Sequence, residues 1–183
     1  MLFLVGYDED KFTRILKSFD KRPAQFVVEF DASLTGAGVL IYQRVKAVEV
    51  CVAATAIDLR ELDSSYQNTA EYVGAIVGIL GHLKLGVSNE DIELRGDSLS
   101  ALTWARTERP RGKVVTNATM VFTLLCVSRG IEAKEATHIG GHDNYRCDQL
   151  SHIAESSLAV ADILVDIGLG GDSGFNVGEG LQS

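Results

Sequence analysis

Residues 24–57 read AQFVVEFDASLTGAGVLIYQRVKAVEVCVAATAI. The run from Ala24 to Phe30 is rich in β-formers and leads into Asp31. Ala32 to Thr35 supply a turn, Gly36 to Tyr42 a second strand and Val45 to Ile57 a third. Connections this short join neighbouring strands in antiparallel fashion, so the stretch predicts a three-stranded meander.

Beyond it the period changes. Tyr72, Ala75, Ile76, Ile79, Leu80 and Leu83 recur at helical spacing. Asn68 or Thr69 is suited to cap that helix and Gly86 to end it. A short strand, Ile92 to Arg95, enters Gly96-Asp97, and Ser98 caps a second helix over Leu99–Glu108, which Pro110 interrupts. Asn117 to Ser128 is a third helix stopped by Gly130, Ile131 to Ile139 a fifth strand, and Asn144 to Leu158 a last helix. The order β-β-β-α-β-α-α-β-α predicts an α/β domain: a five-stranded mixed sheet, three strands antiparallel and the rest parallel, flanked by helices.

The expected organisation is a lead-in segment over residues 1–23, one domain over 24–158, and a C-terminal extension over 159–183 that ends in a flexible Gly-rich tail. With 183 residues and 46% apolar side chains, a single packed core suffices. Three cysteines, Cys51, Cys126 and Cys147, make neither a disulfide framework nor a zinc-finger spacing. No apolar run approaches the ~20 residues of a membrane helix. No basic segment with a cleavage site opens the chain, so a soluble intracellular protein without a membrane partner is expected.

Three carboxylates fall at the ends of elements. Asp31 ends the first strand, Asp97 ends the fourth, and Glu71 lies in the expected first turn of the first helix. If the first and fourth strands lie side by side, their terminal acids converge, and a helix packed across them presents Glu71 to both. Asp148, in the first turn of the last helix, can approach the same rim. Clustered carboxylates repel one another unless a cation occupies them. Hard oxygen ligands with open positions suit Mg²⁺ or Mn²⁺. Taken singly, each acid has an ordinary structural explanation, because helix first turns favour acids and sheet rims are solvated.

The flanking residues change that balance. Phe30-Asp31-Ala32-Ser33 followed by Gly36-Ala37-Gly38 resembles the first motif of the ribonuclease H family. Asn68-Thr69-Ala70-Glu71-Tyr72-Val73-Gly74-Ala75 resembles the second and Leu94-Arg95-Gly96-Asp97-Ser98 the third. His138-Ile139-Gly140-Gly141-His142-Asp143-Asn144-Tyr145-Arg146-Cys147-Asp148-Gln149-Leu150-Ser151 resembles the fourth. Its G-x-x-N-x-x-[AC]-D-x-L-S form is similar to the ribonuclease H domains of LTR and tyrosine-recombinase retrotransposon reverse transcriptases. The four motifs stand in order between about residues 24 and 158.

The resemblance implies a ribonuclease H-like fold and an endonuclease that hydrolyses the RNA strand of RNA–DNA hybrids. Asp31, Glu71, Asp97 and Asp148 would hold two Mg²⁺ ions, with Mn²⁺ as a substitute, and catalyse the cut. His142 occupies the position of a loop histidine that assists proton transfer or product release in cellular members. Ser33, Thr35, Gln67 and Asn68 lie on the loops that would meet 2′-hydroxyls across the minor groove, although turn and cap chemistry explains them equally well. His138, near the end of the fifth strand, is read as structural.

Net charge is −8, which sits poorly with nucleic-acid binding, since phosphate neutralisation supplies most non-specific affinity. Arg106, Arg109, Arg111 and Lys113 form only a small basic cluster. A fused or associated reverse transcriptase would then supply the grip on the hybrid. The alternative from a different class is a catalytically silent ribonuclease H-like interaction module. A third reading, an integrase or DNA exonuclease of the same superfold, fits the fourth motif less well.

Overall fold

A computed structural model of the chain describes residues 23–59, 67–86, 91–107 and 113–152. The lead-in segment, the C-terminal extension, and the expected apolar positions Ile153, Ala154 and Leu158 of the last helix lie outside these residues. So do Arg109 and Arg111 of the basic cluster.

The strands are β1 (Phe26–Ala32), β2 (Gly36–Val45), β3 (Val48–Asp58), β4 (Asp91–Gly96) and β5 (Glu132–His138). The helices are α1 (Gln67–Lys84), α2 (Leu99–Thr107), α3 (Lys113–Arg129) and α4 (Tyr145–Ser151). One sheet runs in the order β3-β2-β1-β4-β5. The first three strands pair antiparallel, and β1–β4 and β4–β5 pair parallel. The expected mixed sheet is therefore present. Between β2 and β3 the turn is Lys46-Ala47, both with positive φ (51° and 66°). Such a two-residue hairpin loop ordinarily carries Asn or Gly, and its absence from the sequence blurred the boundary: Val45 belongs to β2, not β3.

Alternation along β1 divides the core. Phe26, Val28 and Phe30 face a large apolar cluster with Tyr72, Ala75 and Ile79 of α1, Ala101 and Leu102 of α2, and Phe122 and Cys126 of α3. On the opposite face, Val27 joins Leu40, Tyr42, Cys147 and Leu150 in a small cluster beneath α4. The rest of that face is charged. Arg95 grips Glu49 with both terminal nitrogens (2.8 and 2.7 Å) and donates from Nε to Glu93 (2.8 Å), while Arg44 pairs with Glu93 as well. Sharing two arginines satisfies Glu93, whose side chain is only 5% exposed.

Helix ends follow local chemistry. The amide of Ala101 donates to Ser98 Oγ (3.3 Å), the expected cap. Gly86 and Gly130 take positive φ (75° and 63°) after α1 and α3. After α3 the bonds Gly130 N–H to Val127 O (3.2 Å) and Ile131 N–H to Cys126 O (3.0 Å) complete a Schellman motif. The start of α1 differs from expectation. The helix opens at Gln67, so Asn68 and Thr69 are helical residues and not its cap, and Glu71 opens the second turn instead of lying in the first. The polar residues ahead of Asn68 hid this boundary, because Gln continues a helix as readily as it sits in a loop.

None of the three cysteines forms a disulfide. Among the described residues no helix is long and apolar enough to cross a membrane.

Candidate active site

The parallel register sets Glu29 of β1 opposite Arg95 of β4. Two residues further on stand Asp31, next to last in β1, and Asp97, the residue after β4. Gly96 makes the approach possible, because a Cβ there would lie 3.0 Å from the Phe30 ring and 3.2 Å from its carbonyl oxygen. Across these strand ends lies α1. Gly78 seats the helix on β1, where a Cβ would come within 2.3 Å of Val28 Cγ1, and Gly74 faces the Asp31 carbonyl. Glu71, one turn before Gly74 and two before Gly78, is thereby delivered to both aspartates. Carboxylate oxygens of Asp31, Glu71 and Asp97 all lie within 4.8 Å of one another.

The cluster is sheltered. Asp31 and Glu71 are each 6% exposed. Burial above all, then the charges of Glu71, Asp97 and Asp148, pushes the Asp31 carboxyl up to about 8. Burial, followed by the charge of Asp97, pushes Glu71 up to about 7. Glu71 Oε1 accepts from Gln67 Nε2 (3.2 Å), whereas Oε2 is buried with no protein partner. A buried carboxylate oxygen without a donor is costly, and a divalent cation satisfies such an atom. Three hard oxygen donors, two of them resisting ionisation until a positive charge arrives, fit Mg²⁺ or Mn²⁺.

Asp148 stands apart from this group. Its side chain is 56% exposed and lies 3.6 Å from His152 Nε2, yet it is near enough for its charge to act on Asp31. Two features hold α4 here. Gly36 and Gly38 leave room for the helix backbone: a Cβ on Gly38 would stand 2.3 Å from Cys147 O, and one on Gly36 2.4 Å from Ser151 O. Asn144, wholly buried, donates from Nδ2 to Phe30 O (3.0 Å). It thus ties the start of α4 to the residue before Asp31. The sequence showed Asn144 only as a motif letter and a helix start. Its side chain makes no capping bond, and the contact to β1 joins residues 114 positions apart.

His142 is not brought among the acids. Its side chain is fully exposed and its nearest charged neighbour is Asp143 at 3.8 Å. The adjacent Gly141, however, approaches Asp97 Oδ2. His138 Nε2 lies 3.0 Å from the Asp97 carbonyl oxygen, so the ring donates to the backbone of an acid it does not touch chemically. Ser33 is absorbed by its turn: Oγ accepts from the amides of Thr35 (3.2 Å) and Gly36 (3.1 Å) and donates to Ser151 O (2.9 Å). The Gln67 amide turns inward to Ala32 O (2.7 Å) as well as to Glu71. Thr35 is half-buried and Asn68 is exposed.

No protein-family model matches the chain, and no curated protein matches it in sequence. Solved structures do match. The N-terminal RNase H domain of a Mycobacterium tuberculosis protein superposes with a TM-score of 0.56 at 16% identity, covering 72% of this chain and 94% of that one. RNase H1 from Halobacterium salinarum gives 0.51 at 20% identity, covering 72% and 96%. The prototype foamy virus protease-reverse transcriptase gives 0.50 at 15% identity, covering 76% of this chain but 22% of that one. At these identities the likeness is one of fold, and the fold is ribonuclease H-like.

Proposed function

We propose that the domain is a ribonuclease H that hydrolyses the RNA strand of RNA–DNA hybrids with two divalent cations, as part of a retroelement reverse transcriptase. The observation that carries this reading is the convergence of Asp31, Glu71 and Asp97 at the paired ends of β1 and β4, with Glu71 Oε2 buried and unpartnered. The four motifs in order, and the Asn144-x-x-Cys147-Asp148-x-Leu150-Ser151 form of the last, support the retroelement assignment.

Asp31, Glu71, Asp97 and Asp148 would hold the cations, Mg²⁺ in the first instance. When bound, such ions neutralise charge on the scissile phosphate and make water a better nucleophile. The chain's own contribution is placement. Buried Asp31 and Glu71, with half-buried Asp97, fix a sheltered, preorganised oxygen cluster. Asp148, exposed beside it, completes the rim on the side where a substrate arrives. His142, on the loop next to Asp97, is free to meet a leaving group or product. Exposed Asn68 remains a candidate for 2′-hydroxyl contacts, whereas Ser33, Thr35 and Gln67 already spend hydrogen bonds within the fold. Products would carry 5′-phosphate and 3′-hydroxyl ends. Because the chain is acidic, a fused reverse transcriptase would supply most of the affinity for the hybrid.

The test is cleavage of an end-labelled RNA–DNA hybrid at low salt with Mg²⁺ or Mn²⁺. The wild type should cut the RNA strand alone. Asp97→Asn should lower the rate by about a thousandfold, since a metal-binding charge supplies several kcal/mol of transition-state stabilisation. The variant should also melt no lower than the wild type without metal, because repulsion in the cluster is relieved. Equal cutting by both proteins would sink the assignment. No cutting by the wild type, even when fused to a reverse transcriptase, would favour a silent interaction module.

A further inference from the structure

Gln67 is the first residue of α1 and stands one helical turn before Glu71. A carboxamide carries two N–H donors, and here both are spent. One goes to the carbonyl oxygen of Ala32 at 2.7 Å and the other to Glu71 Oε1 at 3.2 Å. Ala32 directly follows Asp31 in β1. A single amide therefore links the strand end that carries one acid to the helix that carries another.

The consequence falls on the second oxygen of Glu71. With Oε1 held, the carboxylate cannot rotate freely, and Oε2 stays buried with no protein partner, in the group it forms with Asp31 and Asp97. Partners that orient a liganding carboxylate typically change metal affinity by about 10- to 100-fold when removed. A residue whose role was to donate to a 2′-hydroxyl would instead keep its N–H groups toward solvent.

We propose that Gln67 is a positioning residue: it locks Glu71 against the Asp31 strand end and so sets the divalent-cation affinity of the three-acid cluster, and it is not a nucleic-acid contact. This rests on the metal-dependent nuclease reading given above.

Gln67→Met separates the two roles. Methionine matches glutamine in length and helix propensity but donates no hydrogen bond. Mn²⁺ binding to the full chain is titrated by the electron paramagnetic resonance signal of free Mn²⁺. Hybrid binding is measured separately in EDTA at low salt. The expected result is Mn²⁺ affinity weakened by about tenfold, with metal-free hybrid affinity unchanged. Unchanged Mn²⁺ affinity together with weakened hybrid binding would overturn the proposal and make Gln67 a substrate contact. If the wild type itself binds no Mn²⁺, the nuclease reading falls and this proposal falls with it, which is a different observation. Should methionine disturb α1 by circular dichroism, Gln67→Ala provides the same comparison.

Discussion

On one face of the sheet, 18-residue α1 buries Tyr72, Ala75 and Ile79 against Phe26, Val28 and Phe30. On the other, seven-residue α4 covers Val27, Leu40 and Tyr42 with little more than Cys147 and Leu150. Each helix delivers an acid to the same rim, and glycines let each helix in. The two acids nevertheless end in different states. Glu71 is buried, oriented by Gln67 and pushed up toward neutrality, whereas Asp148 is exposed. The difference teaches that a large apolar contact can carry a carboxylate into a dry site. A short helix held by close backbone approach and by the hydrogen bonds of Asn144 and Ser33 leaves its carboxylate in water.

The strongest way to break that comparison is to obstruct the close approach. In Gly38→Ala the new methyl meets the Cys147 carbonyl oxygen at 2.3 Å and Leu150 Cβ at 2.5 Å, and a helix backbone cannot step aside cheaply. The cost should reach about 3 kcal/mol, the upper end for overpacking, read as a loss of melting temperature with cleavage lost in parallel. Gly78→Ala also meets an atom at 2.3 Å, but that atom is a Val28 methyl, and alanine gains up to about 1 kcal/mol of helix propensity. It should cost clearly less. If Gly78→Ala proves the more damaging, the two helices are not held in the way described.

A second effect sharpens the contrast between the acids. Asp31 and Glu71 have folded values raised to about 8 and 7. The folded state therefore holds protons that the unfolded chain has already released, and stability falls as pH rises through those values. Buried His82 works in the opposite direction, because burial lowers its value from 6.5, but that influence is spent below neutrality. Between pH 7 and 8 the metal-free protein should lose roughly 1 kcal/mol, seen as a falling melting temperature in EDTA. Mg²⁺ should remove the slope. A flat metal-free profile would mean that the cluster does not resist ionisation.

The smallest expected change is in Asp148→Asn. Its exposure predicts a stability change within about 0.5 kcal/mol, with a loss of cleavage smaller than that of Asp97→Asn. Thermal melting and the hybrid assay measure both. A stability loss above 2 kcal/mol would place Asp148 in the structural attachment of α4.

The antiparallel meander, the helical period after Asn68, the caps at Ser98, Gly86 and Gly130, and the four acids were all legible in the chain, because each rests on local spacing or on the conformational habits of single residues. What escaped was set at a distance. The hairpin at Lys46-Ala47 carries no turn residue to announce it, and the start of α1 at Gln67 has no clear local sign. The opposing fates of Ser33 and Asn68 depend on whether a partner such as the Ser151 carbonyl lies in reach.

The sequence by itself determined which groups stand at the ends of which elements, since strand and helix periods are local properties of the chain. Only the tertiary structure decided that three of the acids share one cluster, Asp31 and Glu71 buried in it and Asp97 half-buried, while the fourth stays wet, that Gln67 serves Glu71, and that Asn144 ties α4 to β1. Those outcomes depend on how closely helices seat on the sheet, and burial, which sets both charge state and hydrogen-bond need, exists only once distant segments have packed.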